Sequence, residues 1–237
     1  MSGLDPRVAA VYDALEGDRG DLDVYVALVV DELGARRVLD VGCGTGTFAL
    51  MLARRGVAVT GLDPDAALLD VARGKPCAEQ VSWVHGDVST LPPLEVDLAA
   101  MTGNVAQAIV EPVDWDRTLH AVHAVLRPGG VLVFETRDPA AEAWREWNRD
   151  VSRRIVEAPG EGPVETWFDV IDLRLPLVSV RWTGVFPNGE VLRSDSTLRF
   201  RDRDEVCADL AAHGYVVDDV RGATDRPGRE LLFLARA

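Results

Sequence analysis

Hydrophobic and polar positions recur along this chain with two different periods, and the changes of period divide it. Over residues 1–33 the apolar positions Val8, Val11, Tyr12 and Leu15 fall at i, i+3, i+4 and i+7, and a second stretch runs from Leu22 to Leu33, so the spacing predicts helices. Arg37 to Val41 is then a short β-rich run ending in a glycine loop, and Phe48 to Arg55 returns to helical spacing until Gly56 closes it. The unit repeats as strand Val57 to Leu62, helix Asp65 to Arg73, strands Val81 to His85 and Val96 to Met101, helix Trp115 to Leu126, a stop at Pro128-Gly129-Gly130, and strand Val131 to Thr136. Near-continuous apolar strands alternating with helices predict an α/β fold whose parallel sheet is covered on both faces.

After Arg137 the alternation breaks. Residues 163–200 read as antiparallel strands, with Val178, Val180, Trp182 and Phe186 on one face and Ser179, Arg181 and Thr183 on the other. Pro187-Asn188-Gly189 supplies hairpin turn chemistry. The α/β character resumes with a helix Arg203 to His213 closed by Gly214, then strands Tyr215 to Val220 and Glu230 to Ala235. The expected organisation is a helical cap over 1–33, a main domain built from 34–137 and 201–237, and an inserted antiparallel β subdomain over 138–200.

Charge narrows the choice of partners. The chain has 25 Lys and Arg against 39 Asp and Glu, a formal net charge of −14, and no local basic patch. Such a surface repels phosphate backbones and anionic membranes, so a small-molecule partner is expected in place of nucleic acid or membrane. Cys43, Cys77 and Cys207 are widely spaced, with no CxxC and no His at metal-ligand spacing, and read as reduced thiols of a cytoplasmic protein without a metal site. The longest purely apolar run, Val24 to Val30, is far short of a membrane span, and the N-terminus opens on acidic residues where a signal peptide would be basic.

The most informative stretch is Val38-Leu39-Asp40-Val41-Gly42-Cys43-Gly44-Thr45-Gly46, which places three glycines between a strand and a helix, where backbone can approach a ligand closely. A dinucleotide fingerprint starting at Gly42 requires glycine at 47. The residue there is Thr47, and the third glycine comes one position early. Asp63 ends the second strand, where a carboxylate can accept from both hydroxyls of a ribose, and no arginine follows it to receive a 2′-phosphate.

VLDVGCGTG, Asp63 within GLDPD, His85-Gly86-Asp87-Val88 and Leu126-Arg127-Pro128-Gly129-Gly130 together resemble the class I S-adenosylmethionine-dependent methyltransferases, in order and separation. The resemblance spans roughly residues 36–136 and the closing helix and strands, and it points to the branch acting on small metabolites. It implies a Rossmann-like, seven-stranded, mostly parallel sheet of order 3-2-1-4-5-7-6 with its seventh strand antiparallel, and S-adenosylmethionine as cofactor. By resemblance the loop Gly42, Cys43, Gly44, Gly46 holds the methionyl part, Asp63 with neighbouring Pro64 the ribose, and Asp87 the adenine amino group, with Val88 offering backbone contact to the ring. Asp40 either tethers the methionyl amine or braces the loop. Met101 at the next strand end and Tyr12 from the cap complete the expected cofactor set.

Ligands of open α/β sheets lie at the carboxyl ends of the strands, which singles out Met101-Thr102-Gly103-Asn104 and Glu135-Thr136-Arg137. Nucleic-acid amino methyltransferases carry Asn/Asp-Pro-Pro-aromatic near the fourth strand. Thr-Gly-Asn stands here instead. Thr102, Asn104, Arg137, Trp144 and Trp147 are the acceptor-binding candidates, the two tryptophans either walling a pocket or packing the insertion onto the sheet. Asn104 either orients an acceptor or caps a turn, and with His120 and His123 it completes the weak candidates for a catalytic role. The expected function is methyl transfer to N, O or C of a small metabolite beneath a lid formed by 138–200. The alternatives are a non-catalytic S-adenosylmethionine-binding regulator or a nicotinamide-dependent oxidoreductase, the latter opposed by Thr47 and by the lack of a Tyr-x-x-x-Lys pair.

Overall fold

The computed structural model describes residues 4–17, 19–223 and 226–237. Its main sheet contains β1 (Arg37–Val41), β2 (Ala58–Asp63), β3 (Val81–His85), β4 (Val96–Met101), β5 (Leu126–Arg137), β10 (Val216–Gly222) and β11 (Glu230–Arg236), in spatial order β3-β2-β1-β4-β5-β11-β10. Strands β3 to β5 run parallel in that row, and β11 lies antiparallel to both β5 and β10. Counting only these seven strands, the order is the expected 3-2-1-4-5-7-6.

Alternate residues of each strand feed two cores, as a sheet covered on both faces requires. Val38, Leu98, Ala100, Val133, Leu232 and Leu234 pack with α2 (Asp21–Ala27), the π-helical turn Leu28–Glu32 and α3 (Thr47–Arg54). Leu39, Ala99, Met101, Leu132, Phe134 and Phe233 pack on the other face with α6 (Pro112–Val125) and α7 (Arg203–Ala212). Helix α4 (Ala66–Gly74), capped by Asp65 through the amides of Ala67 and Leu68, connects β2 to β3.

The insertion forms a separate four-stranded antiparallel sheet, β6 (Arg154–Ala158), β7 (Gly162–Arg174), β8 (Leu177–Val185) and β9 (Val191–Arg199), in that order. Edge strand β6 lies outside the residues read as β from sequence, and Ile155 on it is largely exposed. Thr183, on the face of β8 opposite Val178, Val180 and Trp182, is buried as well.

The N-terminal cap divides between the two bodies. Helix α2 belongs to the core under the main sheet, whereas Val8, Val11 and Leu15 of α1 (Pro6–Glu16) pack against Ala158, Val164, Trp182 and Phe186 of the insertion. Polar ties then fasten α1 back to the main domain. Asp13 accepts from Thr45 Oγ1 at 2.5 Å and pairs with Lys75 Nζ at 2.5 Å, and the Leu4 amide donates to Asp65 at 2.6 Å.

Candidate active site

The loop after β1 is set by hydrogen bonds to the end of β2: the amides of Gly42 and Cys43 donate to the Leu62 carbonyl, at 2.7 and 3.0 Å. Gly44 and Gly46 both have positive φ, 55° and 76°, for different reasons of space. A Cβ on Gly46 would lie 2.4 Å from the Trp83 ring, so that glycine admits the indole beneath the loop, while a Cβ on Gly44 would meet nothing within 4 Å. The loop therefore presents open backbone at Gly44. Its amide donates to Asp63 Oδ2 at 2.8 Å, and the Asp65 amide donates to Asp63 Oδ1 at 2.8 Å. Each Asp63 oxygen retains a further lone pair, and burial raises the carboxyl above its ordinary value.

Asp40 lies under this loop, 1% exposed, with neither oxygen in a well-formed hydrogen bond. Burial, reinforced by the charge of Asp63, pushes its pKa up to about 8, against weaker opposing effects of the Ala49 amide and Arg19. A buried acid of that kind is suited to receive a cation.

A cleft of about 110 Å³ opens above the loop, lined by Gly42, Cys43, Gly44 and Thr45 on one side, Thr102, Gly103 and Asn104 on another, and Tyr12, Glu16, Arg19 and Tyr25 from the cap. Glu135, at the end of β5, completes its floor. It is 7% exposed, accepts the Gly103 amide through Oε1 and interacts with the Tyr25 hydroxyl, and burial raises its pKa despite those bonds. Arg19 is held by Asp21 and lies 3.7 Å from Glu16. Sequence reasoning missed Glu16, Arg19, Arg226 and Glu230 as lining residues. Pairings between the cap and the C-terminal strand span most of the chain, and no local pattern announces them.

Of the expected cofactor residues, Pro64, Asp87, Val88 and Met101 lie at or near the strand ends and do not line this cleft, and neither do Asp40, Gly46 and Asp63. Asp87 follows β3, exposed, and caps the 3-10 turn Val88–Thr90 by accepting from the Ser89 hydroxyl and amide, which hold its pKa below the usual carboxylate range. Val88 is buried, and the Pro64 carbonyl contacts His85 at 3.2 Å. Tyr12 does line the cleft; burial drives its phenol well above the ordinary value, and the charges of Glu16 and Asp63 add to the effect. Three expectations need correction. Met101 is wholly buried in the core beneath the sheet, because strand alternation turns it toward α6. His123 packs edge-on against Tyr215, at 4.9 Å, and His120 is exposed. Both sit on a helix running toward the amino end of β5, away from the edge where the clefts open, and neither lines one.

A second cavity of about 420 Å³ lies between the inserted sheet and the main domain. Tyr12, Glu16, Gly103 and Asn104 border both cavities. Asn104, at φ 70°, accepts from Arg137 Nε at 2.9 Å, and the Arg137 guanidinium lies 5.4 Å from the Trp147 ring centre. The two tryptophans part company: Trp147 lines this cavity, whereas Trp144 is 7% exposed and stacks edge-on against Phe200 at 4.8 Å. Trp144 is core, a correction to the acceptor set, and it lies within the 3-10 turn Ala143–Glu146 that Trp147 follows. Behind the cavity, buried Arg201 donates to the carbonyls of Ala106 and Ile109, at 2.9 and 2.8 Å, and so fixes the short helix α5 (Val105–Ala108) that follows Asn104.

Residues 38–130 match the family model described as a methyltransferase domain, and the seven-strand order around them is that of class I. Over that segment and in its strand order the chain resembles the class I methyltransferases. Over 113 residues it is 34% identical to a ubiquinone biosynthesis O-methyltransferase of Alkalilimnicola ehrlichii, covering 47% of this chain and 46% of that one. Over 131 residues it is 34% identical to a malonyl-[acyl-carrier protein] O-methyltransferase of Serratia marcescens, covering 55% and 49%. The chain thus spans about half the length of the curated relatives it matches. The likeness to solved structures is longer: an amino pentose methyltransferase from Micromonospora echinaspora, determined with S-adenosylmethionine bound, superposes with a TM-score of 0.71 at 25% identity over 95% of this chain and 96% of that one. The inserted sheet therefore lies within the length that this likeness covers.

Proposed function

We propose that this protein transfers the methyl group of S-adenosylmethionine to a small-molecule acceptor held in the cavity beneath residues 138–200. The observation that carries the reading is the shared wall: the cleft over the glycine loop and the cavity under the inserted sheet meet at Tyr12, Glu16, Gly103 and Asn104. Two adjoining compartments at the carboxyl edge of the sheet suit a reaction that brings two bound molecules together.

The residues present fit the donor. Asp40, buried without a bonded partner, matches the methionyl amine, open backbone at Gly44 admits the amino acid portion, and Asp63 retains lone pairs for ribose hydroxyls. When bound, S-adenosylmethionine supplies an electrophilic methyl group on a sulfonium with a neutral leaving group. The protein's share is to align the acceptor, exclude water with α1 and the inserted sheet, and accept a proton where the acceptor carries one. Glu135, which lines the donor cleft with its pKa raised by burial, is the candidate for that last task. No helix among the described residues is long and apolar enough to cross a membrane, and the three cysteines are unpaired, which supports the reading of a cytoplasmic enzyme.

Incubation with S-adenosylmethionine labelled in the methyl group and a metabolite extract tests the proposal. Label recovered in a small molecule, dependent on the protein, is the expected result. Donor binding with no transfer to any extract fraction would favour the regulatory alternative.

A further inference from the structure

We propose that the acceptor is an oxyanion carried on a flat apolar frame, and that Arg137 receives the oxyanion at the donor-facing end of the cavity. The inference rests on the methyl-transfer reading and names the class of molecule that the second cavity selects.

The walls set the frame. Val8, Leu15, Trp147, Phe168, Val180 and Trp182 line a space of about 420 Å³, a size and lining suited to a ring system and poor for a strongly hydrated one. Most of the charged groups on these walls are engaged elsewhere. Asp65 accepts the amides of Leu4, Ala67 and Leu68, Glu16 lies against Arg19, and Arg154 donates to the Leu15 carbonyl.

Arg137 differs. Its side chain is only 16% exposed, and its Nε is used by Asn104. Its terminal nitrogens meet a single carboxylate among the described residues, Glu230 Oε1 at 3.5 Å, and that oxygen is bound more closely by Arg226 at 2.7 Å. The guanidinium is planar, lies against the Trp147 ring, and borders the cavity with an incompletely answered edge. A carboxylate or phosphate can meet that edge with paired hydrogen bonds, which a neutral group cannot match. Burial lowers the Arg137 pKa, the sign of a cation short of compensation. Because Arg137 is bonded to Asn104, which borders the donor cleft as well, the anionic end of the acceptor is the end nearest the donor.

Four probes sharing one ring system test this on the full chain saturated with S-adenosylhomocysteine: naphthalene-2-carboxylate, naphthalen-2-yl phosphate, naphthalene-2-carboxamide and naphthalen-2-ylmethylammonium. Tryptophan fluorescence and calorimetry report binding. One or both anions should bind at least about tenfold more tightly than the amide, with the ammonium weakest, and the ratio between the two anions separates carboxylate from phosphate. In Arg137→Gln the anion preference should collapse while S-adenosylhomocysteine affinity changes less than about twofold. Equal binding of acid and amide, a preference for the ammonium, no binding of any probe at millimolar concentration, or an anion preference that survives Arg137→Gln would each overturn the proposal. The comparison of probes on the native protein stands even if the variant fails to fold. Failure of S-adenosylhomocysteine itself to bind would instead sink the donor reading.

Discussion

Replacing Asp40 by Asn removes a buried carboxyl near the carboxyl end of β1 and separates its cost to the fold from its use to the site. In the folded chain its pKa is pushed up to about 8 from an ordinary 3.8. Between those values the folded protein holds a proton that the unfolded chain has released. Stability from this group is therefore fully present below about pH 4 and is lost progressively as the pH rises to about 8. Each unit corresponds to about 1.4 kcal/mol, so at pH 7 the loss reaches about 4 kcal/mol at most. Asparagine has the same shape and no titration, so Asp40→Asn should match the parent near pH 4 and exceed it by about 2 to 4 kcal/mol at pH 7. Urea unfolding of both proteins at half-unit steps from pH 4.5 to 8.5 reads the difference. Parallel stability profiles would refute the argument, since they would mean that Asp40 ionises alike in both states. The same variant decides between the two roles open to Asp40. A tether for the methionyl amine predicts weaker S-adenosylhomocysteine binding in a more stable protein, and a brace for the loop predicts unchanged affinity.

S-adenosylmethionine and S-adenosylhomocysteine should bind in calorimetry and NAD should not, the reverse preference contradicting the donor assignment. Asp63→Ala should weaken S-adenosylhomocysteine by about 1.5 to 3 kcal/mol, as expected for loss of charge-assisted bonds, and an unchanged dissociation constant in the folded variant would place Asp63 outside the site. Trp144→Ala should lower stability by about 3 to 5 kcal/mol, as a truncated core indole does, while Trp147→Ala keeps its melting temperature and raises the acceptor KM. Equal melting losses in the two variants would show that both are core. Turnover should survive EDTA, because no group of three or more His, Cys, Asp or Glu among the described residues is placed to hold a metal ion. Loss of activity restored by magnesium would contradict that.

The main domain was readable from sequence because its determinants are local. Each parallel strand is a short apolar run and the strand ends carry their carboxylates in sequence order, although the expected stop Pro128-Gly129-Gly130 falls inside β5, because the chain leaves α6 at Val125 directly into the strand. What escaped is non-local. Strand β6 pairs only with β7 at a sheet edge, so Ile155 is left in solvent and no alternation marks it. Trp144 and Trp147 have helical spacing, but Glu142 at φ 45° precedes a 3-10 turn that sends one indole into the core and the other to the cavity. His120 and His123 were exposed to the same difficulty: periodicity gives the face of a helix and not the end of the sheet to which it points. Arg201 lies far along the chain from the α5 carbonyls it binds, and only the folded insertion brings them together.

Helix α1 is held to two bodies by different kinds of contact. Toward the main domain it packs beside α4 and makes polar ties, Asp13 to Thr45 and Lys75 and the Leu4 amide to Asp65, and partly exposed pairs of that kind contribute about 1 kcal/mol or less each. Its attachment to the inserted sheet is apolar, with Val8, Val11 and Leu15 buried against Trp182, Phe186 and Val164, and full burial of each such side chain is worth about 1.5 to 3 kcal/mol. Residues far apart in sequence, α1 and 138–200, are thus joined by an apolar seam, with Tyr12 of α1 bordering both the cleft over the glycine loop and the cavity under the inserted sheet.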